Sequence, residues 1–258
     1  MKLINPVPSC KLLKHPQGNI YQFFAENPEL YMPFGLKYHN GIDIATFDGD
    51  KVCAAHDGVV ADVRLNPQGY GNSVLLLSDK QLDGTYILTR YSHLRLDVPV
   101  VAGQEVKAGD IVGYESNTGF VISGNTPFWG NAPAGKGVHL HFGVLPLKEV
   151  EPNSYQYYFP SINKSLTAIN GDNGVHGYED PMPYFQKPMY NLVKNPLKTS
   201  EIYAVIGTTK RHIGNYYTLS QGNGVEWSFA STNDIPFADV TAFAALTEGA
   251  EIVFTPHD

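Results

Sequence analysis

The sequence predicts a mostly β protein with a small further unit at its C-terminal end. Three observations carry this. Glycine (25), proline (18) and tyrosine (16) are abundant, the profile of a loop-rich sheet protein rather than a helical bundle. The apolar runs are short and bounded by Gly, Asn, Asp and Pro, as strands are. Composition then shifts after Lys148 toward Tyr, Asn, Pro and Ser, and a Pro-bounded stretch, Pro188 to Pro196, precedes a separate final segment.

With 258 residues the chain can bury a real core as one large domain plus an appendage. Hydrophobic residues are 43% and charged residues 17%, which excludes a disordered chain. The net charge of −7, with no strong basic cluster, argues against nucleic acid as a partner. No apolar run approaches the ~18 residues of a membrane span. Cys10 and Cys53 are too few for a disulfide framework. Cys53, in Val52-Cys53-Ala54-Ala55, reads as a buried thiol; whether it pairs with Cys10 is left open by sequence.

Taken in order, residues 1–38 form an approach segment with an apolar run at Ile20–Phe24 and turns at Asn27-Pro28 and Pro33-Phe34-Gly35. Tyr38-His39-Asn40-Gly41-Ile42-Asp43-Ile44 follows. His39 and Asp43 are an even number apart, so an extended backbone would put both on one face. Asp57-Gly58 is a hairpin signal between Val52–Ala55 and Val59–Val63. His56 beside it reads as a turn residue. Gly69-Tyr70-Gly71-Asn72 is a turn, Ser73–Leu77 a buried strand, and Gln81–Thr85 another hairpin turn. Tyr86–Leu94 alternates as a strand that ends at His93, a position often structural. Val101–Gly113 holds two glycine-bounded turns around short strands. Phe120 to Lys136 reads as a long irregular loop carrying Phe128 and Trp129, and it runs into Gly137-Val138-His139-Leu140-His141-Phe142.

That last run is the centre of the sequence. On a strand, His139 and His141 point to one face while Leu140 and Phe142 are buried on the other. Paired imidazoles on a rigid strand suit metal work, one as ligand and one as proton carrier; the plain alternative is a strand with two structural histidines.

Together, His39-x-x-x-Asp43, Tyr91-Ser92-His93-Leu94 and His139-Leu140-His141-Phe142 resemble the M23 (lysostaphin-type, LAS) zinc metallopeptidases. The framework around them is also similar: Asn40–Ile44, Val52–Val60, Gly69–Asn72 and Val106–Gly113. The resemblance covers residues 18–147. It implies an antiparallel β-sheet metallopeptidase domain with a groove, a single zinc ion held by His39, Asp43 and His141, and catalytic roles for His93 and His139. It implies bacterial peptidoglycan as the partner and cross-links or stem peptides as the substrate. Phe128 and Trp129, in a segment longer than the family's usual one, are candidates to bind substrate or to pack the loop.

The expected organisation is therefore a peptidase domain over 1–185, with core 18–147 and wrap 148–185. A linker follows over 186–198, then a small α+β or β module over 199–258 that includes a short helix at Thr241–Leu246. Tyr203, Tyr216, Tyr217, Trp227 and Phe229 of that module suit either a core or wall contact. The start, Met1-Lys-Leu-Ile-Asn-Pro-Val-Pro, lacks a signal peptide's apolar stretch. Action at the cell wall then points to a phage tail or virion-associated hydrolase, docked through the C-terminal module, or to release by lysis. Two rivals remain: a catalytically inactive binding, activator or structural virion module on the same fold, and a carrier module suggested by Val101–Gly113, whose Lys107 lacks a carrier's setting.

Overall fold

The computed structural model describes residues 1–185 other than 82, 131 and 151–155, and beyond them 191–198, 200–206, 209–214, 244 and 247–248. The chain divides into two compact units, Met1–Phe185 and Gln186–Asp258.

Among the described residues of the first unit, thirteen strands run in chain order. They are β1 (Ile20–Gln22), β2 (Ile42–Ile44), β3 (Lys51–Cys53), β4 (Gly58–Arg64), β5 (Asn72–Leu77) and β6 (Tyr86–Leu94). Then come β7 (Glu105–Val106), β8 (Ile111–Tyr114), β9 (Phe120–Ser123), β10 (Thr126–Trp129), β11 (Leu140–Glu149), β12 (Gln156–Phe159) and β13 (Lys164–Ala168). Nine of them form one sheet in the order β1-β2-β11-β6-β5-β4-β7, extended by β13 on β11 and β12 on β13. Every pairing in it is antiparallel. The chain is mostly antiparallel β, as expected.

The central strands are buried on both faces. Val74 and Leu76 of β5 join one apolar cluster with Ile42, Ile44, Tyr91 and Phe142. Leu75 and Leu77 join a second with Tyr86, Leu88, Leu145 and Phe159. This explains why Ser73–Leu77 reads as a continuous apolar run rather than an alternating one. The second face ends in polar residues. Along β11, His141 and Gly143 continue the row of Leu145 and Leu147; along β6, Arg90 and Ser92 continue that of Tyr86 and Leu88. The register places His141 directly between Asp43 and Ser92.

Three expectations are corrected. Asp57-Gly58 does not close a hairpin: β3 pairs with β8, and β4 pairs with β5 and β7. Asp57 instead accepts hydrogen bonds from the Ala108 amide and Lys107, and a Cβ at Gly58 would overlap the Leu77 carbonyl oxygen, so this glycine serves close strand packing. Phe120–Lys136 is not an irregular loop throughout: β9 and β10 form a hairpin across Gly124-Asn125. Part of the 148–185 wrap extends the main sheet through β12 and β13. Cys10 and Cys53 are both buried free thiols.

In the second unit, β14 (Asn191–Lys194) lies inside the stretch expected as a linker and pairs with β15 (Ile202–Ile206), which pairs with β16 (Thr209–His212). β17 (Thr247–Glu248) joins β16 in parallel. The helix expected over Thr241–Leu246, residue 244 apart, and Tyr216, Tyr217, Trp227 and Phe229 lie outside the described residues. Among the described residues no helix is long and apolar enough to cross a membrane.

Candidate metal centre

Where the second face turns polar, a cavity of ≈ 610 Å³ opens. Its floor carries Asp43, His93, His139 and His141. Tyr21, Asn27, Tyr31 and Phe34 line it as well, with Tyr70 and Phe120–Gly124.

Asp43, His39 and His141 bring one donor atom each to a single point. His39 Nε2 lies 2.9 Å from His141 Nδ1 and 3.0 Å from Asp43 Oδ1, and His141 Nδ1 lies 3.1 Å from the same oxygen. His39 Nδ1 donates to the Phe23 carbonyl at 2.9 Å. A carbonyl only accepts, so in the neutral ring Nε2 keeps its lone pair. Acceptor atoms this close need a cation among them, either protons or a metal ion. Two imidazoles and a carboxylate are a donor set zinc takes, and a carbonyl holding the far nitrogen is the usual support of a metal-ligating histidine. His141 Nε2, on the ring's other side, is buried with no partner. The residues fit a metal ion.

The charge balance agrees. Burial works against the Asp43 carboxylate, but His39, His139 and hydrogen bonds from His141 and His39 outweigh it, holding the carboxyl well below its usual range. Burial also opposes the His39 imidazolium, yet Asp43 leaves its pKa raised. His141 moves the other way, down to about 4: burial and repulsion from His39 exceed the help from Asp43.

The two remaining histidines face each other beside this cluster. Their ring centroids are 4.5 Å apart. His93 Nδ1 donates to the Thr118 carbonyl at 2.7 Å, and His139 Nδ1 to the Gly137 carbonyl at 2.8 Å. In each neutral ring Nε2 is left as the acceptor. Burial, then His139 and His141, push the His93 pKa well below its ordinary value. His139 Nε2 is 3.8 Å from Asp43 Oδ1. His93 reaches its place through a left-handed backbone, φ 61°, uncommon for a residue with a side chain.

A polar layer separates the site from the apolar cluster behind it. Tyr70 packs its ring 5.3 Å from His141 and accepts a 2.6 Å hydrogen bond from Asn40 Nδ2. The Arg90 guanidinium lies 4.3 Å above the Tyr70 ring and donates to Tyr178. The sequence marks Gly69-Tyr70-Gly71-Asn72 as a turn and as part of the family-like framework, but gives neither Tyr70 nor Arg90 a part in the site. His56, by contrast, is buried against Thr89, as a structural residue. Phe128 and Trp129 do not line the cavity; from this hairpin Phe120 does, opposite Phe34.

Residues 37–152 match the model of peptidase family M23. The chain carries an M23 peptidase domain. Among curated proteins no match is found. Solved structures similar to this chain include a zinc containing peptidase from Vibrio cholerae, 28% identical over 56% of this chain and 36% of that one, with a TM-score of 0.38. The catalytic domain of the antimicrobial peptidase lysostaphin from Staphylococcus simulans is 25% identical over 57% of this chain and 79% of that domain, with a TM-score of 0.36. LytU is 26% identical over 68% of this chain and 90% of its own, with a TM-score of 0.41. The chain thus spans little more than a third of the Vibrio protein's length.

Proposed function

We propose that this protein is a zinc-dependent endopeptidase that hydrolyses peptide bonds in the cross-links or stems of bacterial peptidoglycan. One observation carries the reading: three donor atoms and two histidine acceptors converge on the floor of one groove in an M23 domain.

His39 Nε2, Asp43 Oδ1 and His141 Nδ1 would hold the ion. Zinc bound there would supply Lewis acidity toward a scissile carbonyl and would make a water more acidic near neutral pH. His93 and His139 handle the proton. Each begins as an acceptor at Nε2, because a carbonyl holds its Nδ1 hydrogen. The ring that takes the attacking water's proton becomes a donor and delivers it to the leaving amine. Its positive charge meanwhile favours the developing oxyanion. Delivery to the wall on a phage tail or other virion, with Gln186–Asp258 docking to tail proteins, belongs to the same reading; absence of the protein from purified particles would count against that part.

Zinc content measured beside turbidity loss of purified peptidoglycan tests the proposal. Wild type is expected to hold close to one zinc per chain and clear the suspension. His141→Ala is expected to lose both, and His139→Ala to keep zinc while losing activity. No zinc and no clearing across wall types would overturn it.

A further inference from the structure

An aromatic cluster joins the cavity lining to the surface: Phe34 and Phe120 line the cavity and Trp129 does not. Trp129 of β10 is directly opposite Phe120 of β9, with ring centroids 4.4 Å apart. Phe34, which follows the first helical turn of the chain, packs 5.1 Å from Phe120 and 5.5 Å from Trp129. Phe34 and Phe120 therefore face the cavity and also support Trp129. Trp129 remains 69% exposed and Phe34 40%. A tryptophan held by two rings yet open on its outer face is fixed in orientation and free to stack.

The surroundings restrict what it stacks on. No charged residue occurs between Glu115 and Lys136, nor within Leu30–Leu36. The polar residues of the hairpin, among them Ser123, Asn125 and Thr126, are amides and hydroxyls. The two segments that carry the cluster therefore bring no charge of their own to a phosphate or a charged peptide. A protein partner needs about 800 Å² of surface per side, far more than one indole and the edge of a phenyl ring provide. An uncharged pyranose fits: its apolar C–H face lies on an aromatic ring while its hydroxyl edge meets amides and hydroxyls.

We infer that Trp129, braced by Phe34 and Phe120, is a stacking platform for an amino-sugar ring of the glycan strand. It would hold the polymer while the peptide occupies the groove. The inference rests on the peptidoglycan reading above and adds a second point of contact to it.

The test uses the full chain, as wild type, Trp129→Ala and Trp129→Tyr, with unchanged melting temperature and zinc content confirming fold and site. Peptide-free amino-sugar oligomers are titrated calorimetrically. Wild type is expected to bind, Trp129→Ala to weaken binding about five- to tenfold, and Trp129→Tyr to recover most of it. In turnover, Trp129→Ala is expected to raise KM for intact peptidoglycan by a similar factor, leaving kcat unchanged and leaving cleavage of glycan-free cross-linked peptide unaffected. Wild type that fails to bind the oligomers overturns the platform, as does binding equal in wild type and Trp129→Ala, or equal losses on both substrates. Oligomer binding lost in Trp129→Ala by a protein that cleaves neither substrate would keep the platform and remove the peptidase reading.

Discussion

His93 and His139 present the same face to the groove by the same device: each ring donates Nδ1 to a main-chain carbonyl, Thr118 for one and Gly137 for the other. Each Nδ1 is held by backbone, which leaves both Nε2 atoms as acceptors, and the proposed mechanism has them share one proton path. Replacing either histidine with alanine is expected to lower kcat by about 10²–10⁴-fold with zinc content unchanged. Groups acting as one unit give non-additive losses. The double variant should therefore lose little more than the worse single one. Losses that multiply in a double-mutant cycle would sink the shared path.

Gly41 is expected to control metal affinity without touching metal. A Cβ there would stand 2.8 and 2.9 Å from His141 Cε1 and Nε2, and 2.5 Å from the Phe142 carbonyl oxygen. The backbone oxygen belongs to a paired strand and yields little, so the ring moves. Gly41→Ala should weaken zinc binding at least about tenfold, the scale of lost support around a ligand. Competition with a chelating dye measures it; wild-type affinity in a folded variant would contradict the contact.

These relationships mark what the sequence could and could not convey. His139 and His141 share a face because side chains alternate along extended chain, and spacing alone gives that. The meeting of Asp43 with His141 depends on register between β2 and β11, which no local pattern encodes. The β9–β10 hairpin was hidden by Pro127, a residue that argues against a strand unless the strand is an edge, as it is here. Asp57-Gly58 carried a hairpin signal that long-range packing overrode: Asp57 binds Ala108, and Gly58 lets β4 approach β5. Tyr70 and Arg90 were invisible as site residues because their roles come from stacking across strands.

Gly119 links the turns on which His93 depends. Its φ is +83°, and an added Cβ would overlap the Gly71 amide nitrogen and the Gly69 carbonyl oxygen. The neighbouring Thr118 carbonyl is the acceptor that holds His93. Gly119→Ala should cost roughly 2 kcal/mol or more of stability, combining left-handed strain with backbone overlap. Activity should fall further than unfolding explains, since His93 loses its fixed orientation. Urea unfolding beside kcat of the folded fraction separates the two; a variant as stable as wild type would refute the close approach.

Glu115 is expected to make stability depend on pH. Its side chain is fully buried, Oε2 accepts the Thr46 amide at 3.1 Å, and Oε1 is buried with no partner. Burial raises its pKa to about 8; the hydrogen bonds from Thr46 oppose this and Asp50 adds to it. A carboxyl with a folded pKa above its unfolded 4.5 keeps its proton longer in the fold. Its contribution is therefore fully present below about pH 4.5 and is lost as pH rises to about 8. The loss is on the order of 4 kcal/mol for a group wholly out of water. Glu115→Gln preserves the shape and cannot ionise. Unfolding free energies of the two proteins should be similar near pH 5 and diverge with rising pH, the variant being the more stable at pH 8. Taking the difference cancels the titration of the histidines common to both. Parallel curves from pH 5 to 8 would mean that Glu115 is ionised in the fold, with its charge compensated by a contact on Oε1.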